Sequence, residues 1–91
     1  MRFTWDPHKA ATNQRKHGVM FAEAVSVFGD PLALIVEDPR HADRAHIIGE
    51  SARRRILLTV FIEVDPATIR IISARPATSH ERRRYEEGQD T

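Results

Sequence analysis

Apolar residues follow two different periods along this chain. Phe21, Ala24, Val25 and Phe28 recur at i, i+3, i+4 and i+7, the stripe of an amphipathic helix whose apolar side is core. Ile56 to Val64 is instead almost unbroken apolar sequence, rich in β-branched and aromatic residues, which predicts a central strand. Shorter runs at Phe3–Trp5, Leu32–Val36, Ala45–Gly49 and Ile69–Ala74 read as further strands. In the last of these, alternation puts Ile69, Ile71 and Ser73 on one face and Arg70, Ile72 and Ala74 on the other.

Punctuation between these runs supplies the remaining elements. Asp6-Pro7 starts a helix, with Asp6 capping the free amides and Pro7 at the first helical position, and Gly18 ends it. Lys9, Asn13 and Lys16 share one face of that helix, and a solvated face explains them. Gly29-Asp30-Pro31 stops the second helix, Glu37 to Arg44 is a polar loop, and Asp65 to Thr68 is a turn. Pro76 has no amide to donate, so sheet pairing is expected to fail near Arg75. Thr78 and Glu81 form a capping box that opens a last helix, reaching Glu87. The order is β-α-α-β-β-β-β-α, an α+β single domain over residues 1–91 with its later strands joined antiparallel.

Composition narrows the class without changing that outline. At 91 residues, 41% hydrophobic and 30% charged, the chain has room for one modest core. It has no cysteine, which removes disulfide frameworks and thiolate metal sites and fits a reducing compartment. No apolar run reaches the roughly 18 residues of a membrane helix, and the first residues lack a signal-peptide pattern, so a cytoplasmic protein is expected. Net charge is only +1, yet eight of the 14 basic residues fall at Arg53, Arg54, Arg55, Arg70, Arg75, Arg82, Arg83 and Arg84. A local basic surface on a nearly neutral protein follows.

That basic surface centres on the segment RIISARPATSHERRRYEE. Burying a guanidinium costs on the order of several kcal/mol unless it is paired, so Arg70 and Arg75 need a carboxylate or a phosphate to meet. Glu81, Arg84 and Tyr85 lie close together on the following helix, a grouping that can supply a base, an acid and a phosphate clamp. A salt-bridged surface helix with Tyr85 packed on the sheet accounts for the same residues. The five histidines, His8, His17, His41, His46 and His80, form no metal motif. His17 lies in the last turn of its helix, where it can donate a proton, bind phosphate, or simply cap. Arg53 to Arg55 form a hairpin tip that suits a phosphate backbone or a solubilising turn.

Taken together, FTWDPHKAATNQRKHGVMF, FGDPLALIVEDPRH, IIGES and RIISARPATSHERRRYEE resemble, in order and spacing, the BrnT toxins of type II toxin–antitoxin systems. Trp5, Asp6, Lys9, Asn13, Lys16, His17 and Gly18 match the opening signature. Arg70, Arg75, Ala77, Thr78, Glu81, Arg82 and Tyr85 match the closing one. The resemblance implies a RelE-like fold, with two N-terminal helices and one C-terminal helix on a small antiparallel sheet. It implies a metal-independent endoribonuclease without cofactors that stops growth by cutting RNA. It also implies a BrnA-type ribbon-helix-helix antitoxin, operator DNA bound through that antitoxin, and a toxin dimer within the complex.

Such an enzyme can use the 2′-hydroxyl of RNA as its nucleophile. It then needs a base, a cation on the phosphate oxygens and an acid for the leaving 5′-oxygen. Arg75 is the expected phosphate cation, helped by Arg70, Arg53 or Arg82; Glu81 or Tyr85 is the candidate base; His17 or Lys9 is the candidate acid. The competing readings are a non-catalytic module that binds nucleic acid or protein, and a small structural subunit.

Overall fold

In the computed structural model, which describes residues 1–88, the first helix starts and stops as its end residues dictate. Asp6 accepts the His8 amide at 2.8 Å, and Pro7 takes the first turn. This helix, α1, spans Pro7–His17 and closes on Gly18, whose φ of 69° suits glycine and returns its amide to the Gln14 carbonyl. Helix α2, Phe21–Ser26, tightens into a 3-10 turn over Val27–Gly29. The tightening rotates the apolar stripe: Phe21, Ala24 and Val27 are buried, whereas Val25 and Phe28 are half-buried.

Five strands follow the expected order: β1 (Arg2–Thr4), β2 (Leu34–Glu37), β3 (Ala45–Glu50), β4 (Ile56–Asp65) and β5 (Thr68–Pro76), before the last helix, α3 (Ser79–Glu87). In space the sheet runs β1-β5-β4-β3-β2. The pairs β2–β3, β3–β4 and β4–β5 are antiparallel, but β1 lies parallel to β5, so the sheet is mixed. No described helix is long and apolar enough to cross a membrane.

The two faces of the sheet are covered unequally. Val19, Phe21, Ala24 and Val27 pack on Ile47, Leu57, Phe61, Ile69, Ile71 and Ala74 of one face. Each large side chain fully buried there contributes about 1.5–3 kcal/mol. Phe28 bridges Phe3 and Phe61 at ring distances of 5.1 and 5.0 Å. A side chain at Gly49 has no room, because its Cβ would stand 2.9 Å from Val27 Cγ1 and 3.0 Å from Ala33 Cβ. The other face carries a smaller cluster of Ile48, Leu58 and Tyr85 of α3. Beyond that cluster it stays open around Val60, Ile62, Arg70 and Ser73, all partly exposed.

Two expectations about β5 are corrected. A register shift sets Ser73 opposite Val60 but Ile71 opposite Phe61, inserting one extra residue. Ala74 therefore joins Ile69 and Ile71 on the core face, and Ser73 moves to the open face with Arg75, which pairs with Leu58. Pairing also continues through Pro76, opposite Leu57, and the Ala77 amide donates to Ile56 at 2.9 Å. The alternation of amides aims the missing N–H of Pro76 away from β4, at the edge that β1 no longer covers.

Asn13 covers part of that edge. It is buried, not solvated: its Nδ2 donates to the carbonyls of Val19 at 2.9 Å and Ala74 at 2.8 Å, and its Oδ1 accepts the Ala74 amide at 3.0 Å. A side-chain amide offers the same donor and acceptor as a peptide unit, so Asn13 acts on Ala74 as a neighbouring strand would.

Candidate functional site

The capping box of α3 has a second task. The Glu81 amide donates to Thr78 Oγ1 at 3.2 Å, and Glu81 Oε1 accepts the Thr78 amide at 2.9 Å. The same carboxylate binds Arg75 in a fork, Nη1 to Oε1 at 2.7 Å and Nη2 to Oε2 at 2.9 Å. The Arg75 bonds, despite partial burial, hold the Glu81 carboxyl down to about 2. Arg75 is pushed up for the same reason and stays cationic. Its side chain keeps 37% of its exposure, so the guanidinium is fixed by Glu81 yet still open to solvent.

Lys9 and His17 come together in a groove of about 300 Å³ between α1 and the edge of β5. His8, Thr12 and Lys16 share its helical wall, and Ile72 and Ser73 form its strand wall. Asn13 fixes the spacing of the two walls through its bonds to Ala74. Ser73 belongs also to the open face, two residues from Arg75 and three from Arg70. Arg70 is half-buried on that face, in register with Thr4 and Ile62.

The remaining candidates lie apart from this groove. Tyr85 is 7% exposed, packs on Ile48 and Leu58, and donates to Asp30 Oδ2 at 2.6 Å. Burial pushes the Asp30 carboxyl up, but bonds from the Glu50 amide, the Tyr85 hydroxyl and the Leu32 amide outweigh it and bring it below the usual range. Both candidate bases thus have structural partners. Arg82 is exposed at a cleft shared with Glu50, Arg54, Arg55 and Pro76, so it flanks Arg75 along the chain. Arg53 is exposed on the β3–β4 hairpin.

Two side-chain networks went unread in the sequence. Arg55 donates through Nε to Glu23 Oε2 at 2.9 Å and through Nη2 to Glu23 Oε1, and Ser51 donates to the same carboxylate at 2.7 Å. These bonds, led by Arg55, lower the Glu23 carboxyl and anchor the hairpin to α2. His46 is paired on both sides, with Val36 and Val60, on the open face. Its Nε2 lies 2.9 Å from Asp38 Oδ2. Among the described residues no three His, Asp, Glu or Cys side chains converge as a metal site.

Helices α1 and α2 lie on one face of a five-stranded sheet, α3 covers part of the other, and Lys9, His17, Arg70 and Arg75 stand along β5 and its edge. A ribonuclease toxin has the same fold. A family model described as "Ribonuclease toxin, BrnT, of type II toxin-antitoxin system" matches residues 5–81, and the chain belongs to this family. The crystal structure of the Brucella abortus ribonuclease toxin BrnT is similar at a TM-score of 0.72 and 31% identity, over 87% of this chain and 99% of that one. No curated protein sequence matches.

Proposed function

We propose that this chain is a metal-independent endoribonuclease that arrests growth, and that Arg75 is its phosphate-binding cation. The observation that carries the reading is the fork between Arg75 and Glu81. It presents a permanently charged guanidinium at the end of β5, on the same strand as Ser73, which lines the Lys9–His17 groove. With Nη1 and Nη2 donating to Glu81 and Nη1 also to the Pro76 carbonyl, Nε–H and a second Nη2–H remain to meet phosphate oxygens and stabilise the charge that grows there as the 2′-oxygen attacks. Arg70 extends the phosphate track over the open face, and Arg82 and Arg53 extend it beyond Pro76. Lys9 or His17 donates the proton to the leaving 5′-oxygen.

Glu81 then positions Arg75 and does not serve as the base, since a carboxyl held near 2 is a poor proton acceptor at neutral pH. Tyr85 supports α3 from the core. Because the nucleophile belongs to the substrate, the reaction asks the protein only for a cation, an acid and a base.

The rest of the reading follows from the family. A BrnA-type ribbon-helix-helix antitoxin neutralises the toxin in the cytoplasm. The complex, which contains a toxin dimer, binds operator DNA through the antitoxin and represses the operon. The direct test incubates purified toxin with RNA and a metal chelator, beside a folded Arg75→Ala variant. Multiple-turnover cleavage by the wild type and at least a 100-fold loss in the variant are expected, a typical scale for losing one oxyanion-stabilising donor. RNA shifted in a gel but left intact would instead indicate a non-catalytic binding module.

A further inference from the structure

The reading above leaves the base unassigned, and the open face of the sheet holds a histidine built for that task. Val36, His46, Val60 and Ser73 are opposed across β2, β3, β4 and β5, so they form one row on the open face. Next to this row on β5 stand Arg70 and Arg75. At its far end Ser73 meets the Lys9–His17 groove. Strands β3 and β5 are two steps apart, about 10 Å. A phosphodiester lying over Val60 therefore has His46 on one side and the groove on the other, as in-line displacement requires of a base and an acid.

The His46 ring is also held in place by a carboxylate. Asp38 accepts the Arg40 amide at 2.7 Å and the His41 amide at 3.1 Å on Oδ1, which leaves Oδ2 for the imidazole. These bonds, the Arg40 amide first and His46 second, bring the Asp38 carboxyl down to about 2. An ionised carboxylate only accepts, so Nε2 carries a hydrogen, and in the neutral imidazole the lone pair is then on Nδ1. Among the described residues Nδ1 has no partner. The His46 side chain is 22% exposed, enough to meet a ligand. Asp38 is the charged group in contact with it, and Arg40, His41 and Arg44 belong to the same loop. Strands β2 and β4 present Val36 and Val60, and β5 presents Ser73 with Arg70 and Arg75 beyond.

We propose that His46 is the general base of RNA cleavage, with Asp38 as its positioning residue; the proposal rests on the ribonuclease reading. Neutral His46 takes the 2′-hydroxyl proton on Nδ1 while the 2′-oxygen bonds to phosphorus. The P–O5′ bond breaks, and Lys9 or His17 gives a proton to the departing oxygen. One proton is taken and one given, no electrons are exchanged, and the products are a 2′,3′-cyclic phosphate and a 5′-hydroxyl. Asp38 stabilises the imidazolium that forms.

The test compares wild type, His46→Gln and Asp38→Asn in single-turnover cleavage across about pH 5 to 9, the range that brackets histidine titration. Binding of a 2′-deoxy analogue that cannot be cut is measured alongside. His46→Gln should slow cleavage about 100-fold or more, leave analogue binding unchanged and lose the acidic limb of the pH profile. Asp38→Asn should slow cleavage while analogue binding stays unchanged, because the imidazole loses the carboxylate that orients it. A substrate with sulfur at the 5′ bridging position needs no acid, so it should restore Lys9→Ala or His17→Gln but not His46→Gln. Wild-type rates in His46→Gln, loss of analogue binding in step with cleavage, or rescue of His46→Gln by the sulfur substrate each overturns the assignment. If His46→Gln does not fold, wild-type cleavage rates in folded Asp38→Asn overturn it alone. A wild type that leaves RNA whole removes the ribonuclease reading and this inference with it.

Discussion

Asn13 gives the sharpest test of how the groove is held. Replacing it with alanine removes the three hydrogen bonds that join α1 to Val19 and Ala74. The side chain is only 6% exposed, so the carbonyls of Val19 and Ala74 and the amide of Ala74 are left where solvent reaches them poorly. An unsatisfied buried polar group costs about 1–3 kcal/mol. Water entering from the adjoining groove offsets part of this, so the lower end applies to each group, for a total of about 3–4 kcal/mol. Net stabilities of small domains are about 5–15 kcal/mol, so the loss is a large fraction of the whole. In urea the unfolding midpoint should fall by about 2 M, taking a slope of about 1.5 kcal/mol/M. Asn13→Asp should do no better, since a carboxylate keeps the Ala74 amide but faces two carbonyls without a hydrogen to give. A loss below about 1 kcal/mol for Asn13→Ala, or wild-type stability for Asn13→Asp, would refute the account of Asn13 as a substitute strand.

Three further outcomes are expected. Glu81 sits near 2 in the fold against an ordinary 4.5, so its contribution is full above about 4.5 and disappears as pH falls through about 2. With Arg75 partly exposed, that contribution is about 1 kcal/mol, and melting curves of Glu81→Gln and wild type should converge in acid. Tyr85→Phe should cost about 1–2 kcal/mol by leaving Asp30 short of a donor, while cleavage by the folded variant stays near wild type; a selective loss of cleavage would return Tyr85 to the site. Gly49→Ala should cost about 1–3 kcal/mol in thermal unfolding, because Val27 and Ala33 must move to admit the methyl group.

Much of this fold is written in local pattern. Asp6-Pro7, Gly18 and the Thr78–Glu81 box mark helix ends because capping needs only residues a few positions apart. The β4 strand announces itself because Ile56 to Ile62 are all buried or half-buried. What went unread depends on what lies across the sheet. Helical spacing put Asn13 on a face with Lys9 and Lys16, but only the missing partner of Ala74 gives that face a reason to bury an amide. The extra residue opposite Val60 reverses Ser73 and Ala74, and no periodicity within β5 signals a bulge set by β4. Arg75 was visible as an arginine needing a partner; that the partner is Glu81, six residues on, depends on the turn that carries α3 back over the sheet. Glu23 and Asp38 carried no signal, because their partners, Arg55 and His46, stand 32 and eight residues away.

The pairing of β1 with β5 bears on when this protein can first act. Arg2 aligns with Thr68, and Asn13 reaches 61 residues along the chain to Ala74. Asn13 and Ala74, which tie the two walls of the groove together, are made 61 residues apart. A nascent chain therefore carries Lys9 and His17 with nothing opposite them while the last strand is still inside the ribosome. Contacts so distant in sequence also form late in folding. The groove is therefore complete only once β5 has docked, and a partly made or partly folded chain lacks one of its walls.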